Sequence, residues 1–483
     1  MNNLKPVASE GPKGAYIEAT TRCNMRCKYC PHYYSTFGDD MPEAIVHKAI
    51  GALVAKVDTI LIAGLGEPLI SKSFFTILEA CEQNGVRLGF PTNGIRLRDE
   101  RLVERLVRAP VQICVSIDGA RPETYNFMRP EQEWDRLLQT LALVQRCRKK
   151  VGPKFKGATS FLCVAMKDTF GDLPDLVCMA HEYGVSQIQV QALSDGFPGQ
   201  SPFNTPNVTA PALLEGMAVA RKFGVSLNLP SSLYRMACDH VLVGDALWRD
   251  DLTPGAKHIL SELLFEASVH AVPKDGISPC RHPWDWTFID CTGKVRACCL
   301  SQTPLGDLNT ENWNDIWNGT RYQNFRRLVH SWNPPIACRK CFFPDGINDG
   351  DTTRYERYFA QFRSETISLD SDQAKFDDEF ERIEEEKGKY LWHLKNRSGA
   401  VSLSMHHGSR FLCFAIEGKG SEHNDFTFGT CKINDGQPEP FDLSCDHLFF
   451  PLNHVFADRL DVRFEMEGFG NRKLVIRGAS LLL

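Results

Sequence analysis

Apolar residues along 14–192 recur in two alternating patterns. Short apolar runs such as Thr59–Ile62 and Gln112–Ile117 have the length of strands, whereas Pro42–Ala55 and Trp134–Lys149 repeat apolar residues at helical spacing. Strand-helix repetition predicts an α/β fold with a parallel sheet and right-handed crossovers. Six such units are too few for a closed eight-stranded barrel, so we expect a partial (β/α)6 TIM-like barrel, open on one side. The predicted strands are Gly14–Thr20, Thr59–Ile62, Val86–Phe90, Gln112–Ile117, Thr159–Ala165 and Ser186–Gln191.

The pattern changes towards the carboxyl end of the chain. Segments such as Ala400–Met405 and Arg410–Ile416 alternate apolar and polar residues, and turn signals separate them. This pattern predicts an antiparallel β-sandwich-like domain. The charge-dense stretch Asp370–Lys389 before it is typical of a solvated helix or a linker.

Composition narrows the class of protein. The chain has 483 residues, a net charge of −5 and no block of lysine and arginine, which argues against a nucleic-acid partner. It lacks a run of about 18 apolar residues, and its first residues lack the apolar stretch of a secretory signal, so we expect no membrane span and a cytoplasmic location. In a reducing compartment, its 18 cysteines indicate metal binding or catalysis rather than disulfides.

Three cysteines stand close together after the first predicted strand. Cys23, Cys27 and Cys30 have the spacing C-x3-C-x2-C. Iron-sulfur clusters are normally held by four cysteines, so three thiolates would ligate three irons of a [4Fe–4S] cluster and leave the fourth iron open to a small molecule. A zinc loop or a chance grouping is the alternative on spacing alone, because C-x2-C pairs are also typical of zinc ligands.

Further motifs follow in order along the predicted barrel. They are Leu61–Leu69 with its Gly-Leu-Gly-Glu core, Thr92–Gly94 and Val115–Gly119. Together with the cysteine loop, in which Tyr29 holds the aromatic position, they resemble the radical SAM superfamily. Leu65 departs from the commonest form of the family, which often has glycine there. The resemblance implies that the open iron binds the amino and carboxylate groups of S-adenosylmethionine.

The resemblance also implies which residues hold S-adenosylmethionine, although it assigns no catalytic residue. Gly66 would let the backbone approach the cofactor, and the carboxylate of Glu67 would bind its ammonium group through a charge-assisted hydrogen bond. Ser116 would meet ribose oxygens, and Tyr29 would meet the adenine. An ordinary turn role is the alternative for Ser116 and Asp118, since Asp-Gly is also a common turn dipeptide. The predicted cofactor-binding set is Tyr29, Gly66, Glu67, Asn93, Ser116 and Asp118.

A second set of cysteines marks a second module. With the predicted strand pair that precedes Cys298 and the stretch Ile316–Gly319, it resembles a SPASM-type auxiliary cluster domain. The resemblance implies a fully ligated second [4Fe–4S] cluster, with zinc as the alternative. Cys299 could replace Cys298, and Cys291 is interpreted as incidental. Full SPASM domains carry further cysteines soon afterwards, so this one is expected to be a shortened version with one auxiliary cluster. The predicted ligands are Cys280, Cys298, Cys338 and Cys341.

These modules imply an order along the chain. The predicted divisions are 14–195 for the radical SAM barrel, 196–276 for a connecting helical region, 277–346 for the SPASM-like α+β domain, 347–390 for a charged linker and 391–483 for the β-rich domain.

The combined resemblance implies a radical SAM oxidoreductase with two [4Fe–4S] clusters. It would cleave S-adenosylmethionine to a 5′-deoxyadenosyl radical and oxidise or couple an unreactive C–H position, with electrons from a flavodoxin-type or ferredoxin-type protein. The short segment before the first strand, without a peptide-binding wing, favours a small polar, sugar-like substrate. A peptide-modifying maturase is the alternative, and an RNA-modifying enzyme or a non-catalytic iron-sulfur protein is disfavoured.

Overall fold

The computed structural model describes most of the chain in separate ranges. These are residues 5–33, 38–154, 156–193, 199–230, 233, 236–238, 241, 247–269, 280–329, 331–339, 363–385, 389–395, 398–404, 410–419, 428–442, 447–452, 459–467 and 473–482.

A parallel sheet forms the amino-terminal half of the molecule. Its neighbouring strands follow chain order, and each pairs in parallel with the next. The partial barrel is therefore confirmed, and β7, which lies in the predicted connecting region, continues its sheet beyond the six strands of the barrel. The strands are β1 (Gly14–Ile17), β2 (Thr59–Ile62), β3 (Arg87–Thr92), β4 (Val111–Ser116), β5 (Ala158–Ala165), β6 (Gln187–Ala192) and β7 (Ser226–Asn228).

Helices cover one face of this sheet. Buried side chains of the strands pack there against apolar residues of the helices in one large core. Helix ends follow local chemistry: Asp99 accepts a hydrogen bond from the backbone of Arg101 at the start of one helix, and Gly85 takes a left-handed φ of +69° at the end of another. These helices are α1 (Glu43–Leu53), α2 (Phe74–Asn84), α3 (Glu100–Arg108), α4 (Pro122–Met128), α5 (Trp134–Val151), α6 (Leu173–Glu182) and α7 (Pro206–Phe223). A further helix, α8 (Pro254–Val269), packs on α7 in a smaller apolar cluster of its own.

The cysteine-rich module continues the same sheet. β8 (Trp286–Ile289) pairs in parallel with β1, and β9 (Lys294–Arg296) returns antiparallel beside it, followed by β10 (Gly306–Asp307). The barrel and this module thus share a ten-stranded sheet.

The helical part of this module differs from what its sequence predicts. The sequence predicts one helix over Trp313–Val329, but the structure interrupts it near Gly319, where a side-chain carbon would overlap the carbonyl oxygen of Asp315. The helices of the module are α9 (His282–Asp285), α10 (Trp313–Trp317), α11 (Thr320–Val329) and α12 (Ile336–Arg339).

Two antiparallel sheets form the carboxyl-terminal domain and enclose a core of their own, which confirms the predicted sandwich. One sheet has the order β13-β14-β21-β16-β19 with β11 also on β21, and the other has the order β12-β15-β20-β17-β18. The strands are β11 (Ser364–Ile367), β12 (Ala374–Phe376), β13 (Phe380–Glu385), β14 (Lys389–Leu394), β15 (Ser398–Ser404), β16 (Phe411–Lys419), β17 (Phe428–Ile433), β18 (Glu439–Asp442), β19 (His447–Pro451), β20 (Arg459–Glu467) and β21 (Lys473–Leu482).

The prediction of a solvated helix or linker over Asp370–Lys389 was wrong for the described part of that stretch. β12 and β13 lie within it and belong to the two sheets. β13 is an edge strand that buries Phe380 and exposes Glu381 and Arg382. Charges on an edge strand discourage pairing with other chains, so a charge-rich sequence is compatible with this position. The limits of the remaining predicted divisions stay predictions.

The sandwich contacts the cysteine-rich module through a buried asparagine. Asn333 is fully buried; its Nδ2 donates to the carbonyl of Phe449 at 2.9 Å, and its Oδ1 accepts from the backbone nitrogen of Phe449 at 2.7 Å. Beside it, the rings of Trp332 and Phe411 have centroids 4.9 Å apart. Among the described residues, no helix combines the length and the apolar character that a bilayer crossing requires.

Candidate iron-sulfur and S-adenosylmethionine site

The segment from Cys23 to Cys30, which we call the cluster loop, follows β1 at the carboxyl end of the sheet. Cys27 is buried, while Cys23 and Cys30 are half-buried, and all are free thiols. Met25 and Ile95 pack with them in a small apolar cluster. The structure therefore brings the three predicted ligands together in one partly buried cluster.

Burial opposes thiolate formation in this pocket. It raises the pKa of Cys23 to about 12, and the nearby carboxylate of Glu67 contributes to that rise. Burial also raises the pKa of Cys27 to about 11, although the charge of Arg129 lowers it. Thiols, not thiolates, therefore stand here at neutral pH without metal, and iron binding would release their protons.

The segment that follows β2 contacts the residues that lead into the cluster loop. A side-chain carbon on Gly66 would overlap the carbonyl oxygen of Thr20 and lie 2.7 Å from that of Arg22. The Glu67 nitrogen donates to the same Arg22 carbonyl at 2.8 Å. Glycine at position 66 is thus required by the backbone of the chain itself, whereas the sequence suggested only that the cofactor approaches there.

Glu67 is a buried acceptor at the centre of this arrangement, with 3% of its surface exposed. Its Oε1 accepts from Thr92 Oγ1 at 2.7 Å and from the Leu69 nitrogen at 3.3 Å, and its Oε2 accepts from the Asn93 nitrogen at 2.8 Å. Burial raises the pKa of Glu67, whereas the bonds from Asn93 and Thr92 lower it. A carboxylate has about four acceptor positions, so one is left for a further donor.

Asn93 also reaches the cluster loop. Its Nδ2 donates to Oδ1 of Asn24 at 3.0 Å, and its Oδ1 accepts from the nitrogen of Ile95 at 3.1 Å. Asn24, within the cluster loop, was not singled out from the sequence. Glu67 and Asn93 therefore join the ends of β2 and β3 to the loop.

Asp118 and Tyr29, both in the predicted cofactor-binding set, are hydrogen-bonded to each other. Tyr29 donates to Asp118 Oδ2 at 3.0 Å, Arg129 Nη2 donates to the same oxygen at 2.7 Å, and the Val164 nitrogen donates to Oδ1 at 3.0 Å. Burial raises the pKa of Tyr29 well above its ordinary value, and Asp118 adds to this. These contacts give Asp118 a clear architectural role at the end of β4.

Two buried charged residues of the site, Arg129 and Glu18, are absent from the set predicted from the sequence. Arg129 follows α4, and no local pattern marks it, since only the fold shows that its side chain points inward. Glu18 follows β1, accepts from the Leu65 nitrogen at 2.9 Å and the Cys291 nitrogen at 3.2 Å, and would be overlapped by a side-chain carbon on Gly64. Its sequence signal was a lone acid within the predicted strand Gly14–Thr20.

The second cysteine set is brought together in part. Burial, and then the nearby Cys298, raise the pKa of Cys280. Cys280 and Cys338 both pack against the main core. Cys298 is half-buried whereas Cys299 is exposed, which favours Cys298 as the inward ligand. Cys341 lies outside the described residues.

Tyr16 places this second set beside the barrel. Its ring lies 5.1 Å from that of Trp286, and its pKa is raised by burial and by Cys299 and Cys298. Tyr16 and Glu18 are on the same side of β1, opposite to the helix-facing Ile17. The second cysteine set therefore borders the inner face of the barrel.

That inner face is uncharged and mainly polar on β4 to β7. Successive strand residues point to opposite faces, and the residues between the helix-packed ones therefore point away from the helices. Two of them bond to each other, since Gln112 Nε2 donates to Ser160 Oγ at 3.4 Å. Strand register aligns Ser116, Leu162, Gln189 and Asn228 in one row. At about 4.8 Å between strands, the row is roughly 14 Å long. The residues of this face, which we call the neutral face, are Gln112, Cys114, Ser116, Ser160, Leu162, Val164, Gln187, Gln189, Gln191, Ser226 and Asn228.

Both cysteine sets suit iron-sulfur clusters. Soft thiolates select iron-sulfur clusters or zinc, and Met25, Tyr29 and Ile95 around the first set are apolar or aromatic. A structural zinc site closes with four protein ligands, whereas a catalytic site keeps one position open. Three cysteines beside the unfilled acceptor of Glu67 match the open type of site.

Sequence comparison agrees with this geometry. A model of the radical SAM superfamily matches residues 17–180, and a model of the SPASM iron-sulfur cluster-binding domain matches residues 280–342. The chain therefore carries a radical SAM domain over residues 17–180 and a SPASM-type iron-sulfur domain over residues 280–342.

Individual relatives differ in how much of the chain they match. A tungsten-containing aldehyde ferredoxin oxidoreductase cofactor-modifying protein of Pyrococcus furiosus is 27% identical over 71% of this chain and 90% of its own length. The mycofactocin maturase MftC of Mycobacterium ulcerans is 23% identical over 35% of this chain and 44% of its own length. The crystal structure of Streptococcus suis SuiB bound to the precursor peptide SuiA has a TM-score of 0.47 and 13% identity, covering 66% of this chain and 67% of that one.

Proposed function

We propose that this enzyme is a radical SAM oxidoreductase that oxidises or couples an unreactive C–H position of a small, neutral, sugar-like substrate. The neutral face of the barrel carries this proposal. Carboxamides and hydroxyls both donate and accept hydrogen bonds, which matches the hydroxyl groups of a polyol. A charged substrate group would find no countercharge among the residues of the neutral face, and burying an unpaired charge is costly.

The cofactors would be S-adenosylmethionine, a [4Fe–4S] cluster held by Cys23, Cys27 and Cys30, and one auxiliary [4Fe–4S] cluster held by Cys280, Cys298, Cys338 and Cys341. When bound and reduced by a flavodoxin-type or ferredoxin-type protein, they supply a 5′-deoxyadenosyl radical that takes one substrate hydrogen atom, and an acceptor for the electron released when a proton leaves. A dehydrogenation would then remove two hydrogen atoms from the substrate.

The residues of the chain would position these groups. The free acceptor position of Glu67 suits the ammonium of S-adenosylmethionine, and Ser116 at the end of β4 would meet its ribose. Ser116 begins the row that leads through Gln189 to Asn228, so a cofactor held at Ser116 would lie beside the neutral face. Gln189 is half-buried and Asn228 is exposed, which leaves this end of the row open to a substrate.

A peptide-modifying activity is the second candidate. The likeness to a mycofactocin maturase supports it, and carboxamide side chains also suit peptide groups. The neutral face alone does not separate a polyol from a peptide backbone, so the test must separate them.

The test uses the reduced, cluster-loaded enzyme with S-adenosylmethionine and a cell extract divided into neutral small molecules, charged small molecules and peptides. Formation of 5′-deoxyadenosine and loss of two hydrogen atoms from a compound are followed by mass spectrometry. Stimulation by the neutral small-molecule fraction supports the proposal. Stimulation by peptides alone favours the maturase, and stimulation by charged molecules alone contradicts the interpretation of the neutral face.

A further inference from the structure

Arg129 is a buried cation against the cluster loop, with 2% of its surface exposed. Its Nη1 lies 3.5 Å from Cys27 Sγ in hydrogen-bonding geometry. Its Nη2 donates to Asp118 Oδ2 at 2.7 Å and to the Tyr29 hydroxyl at 3.3 Å. The guanidinium therefore joins a predicted iron ligand to a buried carboxylate.

The cluster loop is also hydrogen-bonded to the neighbours of Arg129 in the chain. The Lys28 nitrogen donates to the Met128 carbonyl at 3.0 Å, and the Arg26 nitrogen donates to Glu131 Oε1 at 2.8 Å. Hydrogen bonds from the main-chain nitrogens on both sides of Cys27 thus hold the loop against residues 128–131. Burying a guanidinium costs desolvation free energy. Because other hydrogen bonds already attach the loop, its contact with the sulfur indicates a role other than attachment.

We infer that Arg129 is a positioning residue that raises the reduction potential of the cluster on the three-cysteine loop by donating a hydrogen bond to its Cys27 ligand. The inference rests on the proposed ligation of that cluster. Net charge and hydrogen bonds to sulfur set the potentials of iron-sulfur clusters. A reduced cluster carries one more negative charge than an oxidised one, so a nearby cation and N–H donor stabilise the reduced form more.

Asp118 has the opposite effect on the same cluster. Its carboxylate contacts the guanidinium and partly cancels the positive charge that the cluster experiences. Removing the cation and removing the carboxylate should therefore shift the potential in opposite directions. A purely structural role for the pair would not produce this difference in sign.

The experiment is a potentiometric titration of the full-length protein, with the reduced cluster followed by electron paramagnetic resonance. The spectrum of the auxiliary cluster is recorded separately in a variant whose three loop cysteines are alanine, and it is subtracted. Arg129→Met should lower the ratio of reduced to oxidised cluster at a fixed potential about tenfold, equal to about 59 mV for a one-electron couple. Arg129→Lys keeps the charge but loses the planar guanidinium, so it should lower the reduction potential of the cluster by a smaller amount.

Asp118→Asn should shift the potential upward. Arg136→Met, which removes an exposed arginine paired with Glu133, should not move it. Unchanged potentials in Arg129→Met and Asp118→Asn, with iron content retained, would overturn the inference, as would shifts of the same sign. If Arg129→Met does not fold, Arg129→Lys and Asp118→Asn decide on the same criterion. Absence of a loop cluster in the wild type would instead contradict the proposed function.

Discussion

Replacing Glu67 by glutamine tests the proposed cofactor site most directly. The change preserves size and removes the charge that would face the ammonium of S-adenosylmethionine. Hydrogen bonds to a charged group contribute about 1.5–3 kcal/mol, so affinity should fall about ten- to hundredfold. The carboxylate lies near the cluster loop, because Asn93 donates both to Glu67 and to Asn24 of that loop.

The same change has a separate cost in stability. A glutamine can place its oxygen at Asn93 and its amide beside the Thr92 hydroxyl, but the Leu69 nitrogen then loses its acceptor. One buried donor left without a partner costs about 1–3 kcal/mol. Thr92→Val is the matched control, because it removes one bond to the carboxylate and keeps the charge. It should lower the free energy of unfolding without a comparable loss of cofactor affinity.

The pH dependence of the free energy of unfolding tests the effect of burial on the pKa of Glu67. Burial raises the pKa of Glu67 above 4.5, so the folded state binds its proton more tightly than the unfolded state. The stability contributed by that proton is present at low pH and is lost as pH rises through the raised pKa. The difference in the free energy of unfolding between wild type and Glu67→Gln should therefore decrease over this range, since glutamine does not titrate.

Binding is measured anaerobically by calorimetric titration of S-adenosylmethionine into the cluster-loaded enzyme, and stability is measured by urea unfolding. Equal affinity in wild type and Glu67→Gln, with both clusters retained, would refute the ammonium role. Glu67 would then be only the buried acceptor that joins the ends of β2 and β3.

Three further perturbations test other parts of the molecule. Alanine at all three cysteines of the cluster loop should leave about four irons per chain instead of about eight and abolish 5′-deoxyadenosine formation, and continued cleavage would contradict the assignment. Gly66→Ala should destabilise the protein by about 1–3 kcal/mol or more in urea unfolding, whereas Gly171→Ala, where a side-chain carbon meets no atom within 4 Å, should be nearly neutral. Asn333→Leu should lower stability by about 1–3 kcal/mol and speed proteolysis between the cysteine-rich module and the sandwich, because the two hydrogen bonds between Asn333 and the Phe449 backbone are lost. Unchanged proteolysis would show that the apolar contacts suffice.

Local sequence patterns predicted the barrel and the cluster loop. Strands such as Thr59–Ile62 and helices such as Trp134–Val151 have apolar residues whose spacing is set by a single element, so their existence is readable from neighbouring residues. The cysteine spacing likewise lies within one loop. The end of α2 is a local signal too, since glycine, here Gly85, is the residue preferred just past a helix end.

Only the tertiary structure decided which charged and polar residues are buried. Arg129 meets Cys27, and Asn333 meets Phe449, across more than a hundred residues of chain. The stretch containing β13 was expected to be solvated because of its charges, yet its position at a sheet edge allows those charges to face outward. Such partners depend on how distant elements pack, because the energy of a buried polar group depends on the partner it meets, and no spacing along the chain specifies that partner.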